Sequence, residues 1–353
     1  MQRKALCSIG DAQLAADHVR RQDVCNLQQS TNRSRVPGFV LAVLAALAFT
    51  VAIPNRLNAA EPSPALLWVQ QSDGSGQKEG FGVAVDPQGN LLVAGGFTDS
   101  SSFGTHNVSS IGGMDLVLAK YDRTGQCLWA IQAGSTNGPG PGSSGDVAYQ
   151  VITDPQGNSY FTGYFTGTAF FGSTNITSLG FNDIYLAKSD PSGNLLWVRR
   201  AGSANNDSGI NLKVDSTGNV YVTGFFRSVA DFGGVTLTST NGAPIRSDLF
   251  LVKYDSSGNT LWARQAGGSG DDVGYDIAIG AEHVYLTGYF QNTATFGSTN
   301  LTSSGSSDIF LAKYTTAGEL VWVTKAGGTQ GDVARAIGLD ASENIYITGR
   351  FGG

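Results

Sequence analysis

Beyond residue 60, apolar and polar positions alternate in short runs, and no stretch keeps the 3.6-residue period of an amphipathic helix. AYQVITD, SYFTGYF, DIYLAKSD and LLWVRRAG, read in order between residues 148 and 202, are each short and rich in β-branched or aromatic residues. They predict four successive strands. DPQGN separates the first two and DPSGN the last two. In both, the Asp side chain bonds its own backbone and Gly takes a positive φ, which suits tight hairpins.

The unit recurs. Residues 247–268 read SDLFLVKYDSSGNTLWARQAGG, and residues 307–328 read SDIFLAKYTTAGELVWVTKAGG. Tryptophans fall at 68, 129, 197, 262 and 322, and Asp115, Asp183, Asp248 and Asp308 open the equivalent apolar run. The DPQGN turn at 86–90 and 154–158 becomes DSTGN at 215–219 and DASEN at 340–344, while the copy near 280 carries GAEH instead. A period this long, with four strands in each unit, predicts an all-β protein: a β-propeller of four-stranded antiparallel blades. A β-solenoid has much shorter coils. About five blades' worth of sequence is present.

A four-stranded sheet cannot bury both faces alone, so it needs neighbours of its own shape. In LLWVRRAG, Leu195 and Trp197 share one face and Leu196 and Val198 the other. The recurring Trp therefore supplies a large flat surface between blades. Cys127 precedes Trp129 by two residues and shares its face, where other copies carry Leu66, Leu195, Thr260 and Leu320. It is expected to be a packed thiol rather than a reactive one.

The string D-x-x-G-N-x-Y-x-T-G, then F-G, then D-x-F-x-A-K-Y-D-x-x-G-N-x-x-W-x-x-x-x-G-G resembles the SBBP family of bacterial β-propeller repeats across residues 62–353. The resemblance implies a propeller in an exported or cell-surface protein. It implies no defined catalytic activity and no catalytic residues. ALLWVQQ at 65–71 suits an outermost strand that completes the last blade, but the strand that should precede it has no copy in the sequence. The sequence ends at TGRFGG, two strands into a fifth repeat, so an incomplete or open ring is expected, from a truncated frame or fragment, rather than a true five-bladed ring.

Residues 1–60 form a separate segment. The unbroken apolar run 37–53, PGFVLAVLAALAFTVAI, follows Arg33 and Arg35, and Ala59 and Ala60 stand where a signal peptidase would cut. The run also suits an uncleaved membrane anchor. Either reading exports residues 61–353, the repeat domain, to the periplasm, cell surface or medium. That domain carries 15 Lys and Arg against 25 Asp and Glu, a balance that argues against nucleic acid as a partner.

In a propeller, the connections between blades and the loops between second and third strands share one face. Here both sets are long, as in 133–146 and 97–115, so that face is expected to bind a protein or glycan ligand. Asp146, Asp207, Asp271, Asp272 and Asp332 recur near strand starts without the dense spacing of a calcium loop, and structural caps are the expectation over metal ligands. Lys120, Lys188, Lys253 and Lys313 end each third strand, where an ion pair with a turn Asp is expected. His106 and His283 stand alone, and glutamates 61, 79, 282, 319 and 343 form no evident catalytic pair. No catalytic, cofactor or metal residue is assigned, and the expected activity is binding or scaffolding without catalysis. A carbohydrate-active or quinoprotein-like enzyme and a purely structural envelope component are the alternatives.

Overall fold

The structure, a computed structural model, describes residues 40–44, 66–136, 145–240 and 246–352. Among these residues every regular element is a strand. β1 (Val40–Leu44) pairs antiparallel with β2 (Leu66–Gln71). The first blade follows as β3 (Lys78–Val85), β4 (Leu91–Phe97), the small hairpin β5 (Ser100–Phe103) and β6 (His106–Ser109), then β7 (Asp115–Tyr121) and β8 (Cys127–Ser135). The second is β9 (Val147–Thr153), β10 (Ser159–Phe171), β11 (Thr174–Ser189) and β12 (Leu195–Ala201), with its small hairpin formed by the ends of β10 and β11. The third is β13 (Ser208–Val214), β14 (Val220–Phe226), β15 (Val229–Asp231), β16 (Thr236–Thr238), β17 (Asp248–Tyr254) and β18 (Thr260–Gly268). The fourth is β19 (Val273–Ile279), β20 (His283–Phe290), β21 (Thr293–Phe296), β22 (Thr299–Thr302), β23 (Asp308–Thr315) and β24 (Leu320–Ala326). β25 (Val333–Leu339) and β26 (Ile345–Arg350) begin a fifth.

Within a blade the four long strands pair in sequence order, as in β19-β20-β23-β24. First strands of successive blades pack side by side, β3 on β9, β9 on β13, β13 on β19 and β19 on β25, so they form the inner edge of a β-propeller. The core lies between blades: Leu92, Leu116 and Leu118 of the first pack with Phe161, Phe165 and Tyr185 of the second. At four of these junctions a Trp on the outer strand seals the contact. Its Nε1 donates to a carbonyl in the third-to-fourth-strand turn of the next blade, Trp68 to Arg123, Trp129 to Pro191, Trp197 to Ser256 and Trp262 to Thr316, at 3.0–3.3 Å. The glycine of that turn lies on the indole: Gly125, Gly193, Gly258 and Gly318 would each drive a Cβ to within about 3 Å of the ring.

The turns close as predicted. Asp154 Oδ1 accepts the amides of Gln156 and Asn158, and its Oδ2 accepts the Asn158 side chain. The same bonds form at Asp86, Asp190, Asp215, Asp255 and Asp340. Cys127 is buried beside the interblade seam, and burial pushes its thiol up to about 11, which keeps it protonated and inert.

One feature departs from the sequence reading, and a second adds to it. The segments between second and third strands are not free loops. They fold as hairpins that lie on the outer strand of the preceding blade, β21 on β18 and the tip of β10 on β8, with single bridges Asp73–Ser102 and Gly202–Asp231 at the other two junctions. Phe103, Phe171, Phe232 and Phe296 anchor them in the core. The second feature is β1. Residues 40–44 of the apolar run pair with β2 in the register that third and fourth strands use elsewhere, including the irregularity two residues before the Trp. The rest of the run, and the proposed cleavage site, lie outside the described residues.

Candidate functional site

Every first strand carries a β-bulge at the same place. The pairing of β9 with β10 runs Ala148↔Gly163 and then Gln150↔Thr162, leaving Tyr149 unpaired. Phe81, Ile210, Tyr275 and Arg335 are the bulged residues of β3, β13, β19 and β25. The bulge depends on the T-G or A-G pair of the second strand. A Cβ on Gly95, Gly163, Gly224, Gly288 or Gly349 would stand about 2 Å from a first-strand carbonyl oxygen, so only glycine admits this approach. Bulges re-aim side chains, and these turn one residue per blade toward the inner edge near its long-loop end.

Along this arc Phe81, Tyr149, Tyr275 and Arg335 present aromatic and cationic surface, and Ile210 an aliphatic one. Phe81 meets Tyr149 edge-on with centroids 5.1 Å apart, and Tyr149 lies 5.6 Å from Tyr164. Tyr275 stacks at 6.0 Å on Tyr289, and the Arg335 guanidinium covers the Tyr275 ring at 4.3 Å. Phe81 and Arg335 are exposed, and Tyr149, Ile210, Tyr275 and Tyr289 are half-buried. Burial, with Tyr164, Glu79 and Tyr275 nearby, pushes the Tyr149 phenol up. Burial, Tyr275 and the carboxylates of Asp271 and Asp272 push Tyr289 up to about 12, so both hydroxyls stay protonated as donors. Polar hydroxyls set on half-exposed rings make a surface that stacks on flat ligands and hydrogen-bonds their edges.

Sequence reasoning treated the blades as near copies and missed this arc. The signal lay in the differences. Two positions vary from blade to blade, the bulged residues Phe81, Tyr149, Ile210, Tyr275 and Arg335 and the second-strand residues Gly96, Tyr164, Phe225, Tyr289 and Arg350, while their flanks repeat.

The other residues singled out in the sequence are placed as follows. Asp146, Asp207, Asp272 and Asp332 are buried caps: each accepts an amide from the end of the preceding blade and a second, from Thr166 within β10 for Asp146 and from just beyond the second strand of its own blade for the others. Asp271 pairs with Arg246 at 2.8 Å. Lys120, Lys188 and Lys253 reach the turn carboxylates Asp86, Asp154 and Asp215 at 2.8, 3.9 and 3.9 Å. Lys313 rides over the Tyr285 ring. Among the described residues no three His, Cys, Asp or Glu side chains converge, and His106 and His283 stand at separate strand starts. Glu343 caps Ala281, and Glu282 is exposed.

Residues 196–224 match the model of the SBBP beta-propeller repeat. An uncharacterized WD repeat-containing protein of Acanthamoeba polyphaga mimivirus is 23% identical over 84% of this chain and 27% of its own length. The regulatory protein FlaEY of Caulobacter vibrioides is 27% identical over 60% of this chain and 24% of its own length. The chain spans about a quarter of the length of these curated relatives. A solved gluconolactonase from Xanthomonas campestris is 13% identical, covering 77% of this chain and 83% of that one, with a TM-score of 0.33.

Proposed function

We propose that this chain is an exported, non-enzymatic binding module that holds a neutral glycan at the aromatic arc. The observation that carries the reading is the series of bulges that carries Phe81, Tyr149, Tyr275 and Arg335, with Phe81 edge-on to Tyr149 and Arg335 over the Tyr275 ring. Sugar rings offer flat apolar faces for stacking and hydroxyls for the tyrosines, and the acidic surface disfavours anionic polymers. A propeller repeat and repeat-protein relatives suit binding or scaffolding. Export rests on the apolar run and upstream arginines alone.

The test is binding of purified chain to a glycan array, followed by titration of any hit. The Tyr149→Ala/Tyr275→Ala variant is expected to lose at least tenfold in affinity, about 1.4 kcal/mol or more, while keeping its melting temperature. Unchanged binding in that variant, or reproducible turnover of the sugar, would overturn the reading. Mass spectrometry of the protein from its native cells tests export: a mature N-terminus near residue 61 is expected.

A further inference from the structure

The four junctions that run from the first blade to the fifth are built alike but charged differently. At each, the aspartate opening a third strand meets the aspartate opening the next blade: Asp115 with Asp146, Asp183 with Asp207, Asp248 with Asp272, Asp308 with Asp332. All eight are fully buried. The two carboxylates flank one dipeptide. Asp115 Oδ1 lies 2.4 Å from where a Cβ on Gly134 would stand, and the next amide, of Ser135, donates to Asp146 Oδ2 at 2.7 Å. Asp248 Oδ1 lies 2.6 Å from the equivalent point on Gly267, and Gly268 donates to Asp272 Oδ2 at 2.8 Å.

The capping member of each pair has both oxygens engaged. The other member engages only Oδ2: Asp115 with the Ile111 amide, Asp248 with the amide and hydroxyl of Thr240. Among the described residues its buried Oδ1 accepts no hydrogen bond in any of the four copies. A buried carboxylate oxygen without a partner is costly, and a second carboxylate beside it raises the cost.

Two junctions answer that charge internally. Arg200 reaches Asp183 Oδ2 at 3.2 Å, and Lys325 reaches Asp308 Oδ2 at 2.9 Å. The corresponding side chains of the first and third junctions are Gln132 and Gln265. Their amides instead clamp the backbones of Ser109 and Thr238. Among the described residues neither Asp115 nor Asp248 forms an ion pair.

We propose that the first and third junctions each bind one hard divalent cation of the Ca²⁺ class, and that Arg200 and Lys325 take its place at the second and fourth. Asp115 Oδ1, Asp146 Oδ2 and Ser135 Oγ would serve one site, and Asp248 Oδ1, Asp272 Oδ2 and Thr240 Oγ1 the other. All are hard oxygens, the donor class Ca²⁺ prefers, and backbone carbonyls and water would fill the remaining positions of a shell of about 6–8.

The experiment is calorimetric titration of the EDTA-treated full chain with CaCl₂, alongside thermal melts. Two ions per chain are expected, with a Kd of about 0.1–1 mM. The Gln132→Arg/Gln265→Arg variant supplies the missing charge and is expected to bind no ion while melting no lower than the parent in EDTA. Arg200→Gln is expected to add a third site. Absence of both heat and melting shift at millimolar Ca²⁺ overturns the proposal, as does a double variant that still takes two ions. A chain that ignores Ca²⁺ but loses stability steadily as pH rises would show that a proton fills the role instead, and also overturns it.

Discussion

Asp183 Oδ1 and Asp207 Oδ2 face each other across Gly202, each 3.0 Å from the point where a side-chain carbon on that glycine would stand. The two residues belong to different blades, and burial raises the carboxyls to about 6 and about 7.

Stability of the metal-free chain is therefore expected to fall as pH rises. Burial holds Asp115 and Asp272 at about 7 and Asp146 at about 6. A carboxyl raised in the folded state binds its proton more tightly there than when unfolded. Its contribution is complete below the unfolded value of 3.8 and is lost as pH climbs through the folded value. The turn aspartates act oppositely. Burial raises Asp86, Asp190, Asp215 and Asp255, but hydrogen bonds from Lys120 and the turn residues outweigh it, and their contribution is lost in acid. Melts in EDTA should peak near about pH 4–5 and decline toward pH 8. Asp272→Asn should flatten part of the decline; a melting temperature that rises from pH 5 to 8 would contradict this account.

The interblade tryptophans should differ in worth. Trp197 stacks on Gly258 and donates to Ser256, so Trp197→Ala is expected to cost about 3–5 kcal/mol. Trp322 is 37% exposed, and Trp322→Ala should cost well under half of that. Urea denaturation of the two variants gives the comparison directly.

Gly224→Ala tests the bulge. The added carbon would stand 1.9 Å from the Ser208 carbonyl oxygen, so the first strand must shift or its bulge must straighten. A loss of about 2–4 kcal/mol is expected, far above the effect of Gly→Ala at an open site such as Gly113. At Gly163 and Gly288, which support Tyr149 and Tyr275, the same substitution should also weaken binding of any ligand held at the aromatic arc.

Lys120 and Asp86 form a 2.8 Å pair with both side chains almost fully buried. Lys120→Met leaves the Asp86 carboxylate without its cation and is expected to cost about 3–5 kcal/mol. Adding Asp86→Asn should restore most of the loss, because a neutral amide carries no buried charge. A double variant no more stable than Lys120→Met would show that the lysine acts through packing alone.

Much of the architecture is legible along the chain. Strand alternation and the D-x-x-G-N turns depend on neighbours within one repeat, so they appear as local pattern, and the Trp recurs with them because the junction it packs into, against the next blade, also recurs. The packed state of Cys127 and the pairing of Lys120 with a turn Asp follow for the same reason. The segment 97–115 does not: its length suggests an open loop, yet Phe103 is drawn into the core and the hairpin lies on the preceding blade.

By itself, the sequence determined the blade, its turns and the surface each blade offers the next, since these follow from period-two burial and turn chemistry within about 65 residues. The bulge and the charge pairs were decided only by tertiary structure. Tyr149 leaves the strand pairing because Gly163 lets the opposing backbone approach. Asp183 and Asp207 become electrostatic partners because stacking carries them into one dry junction, where water no longer screens their charges.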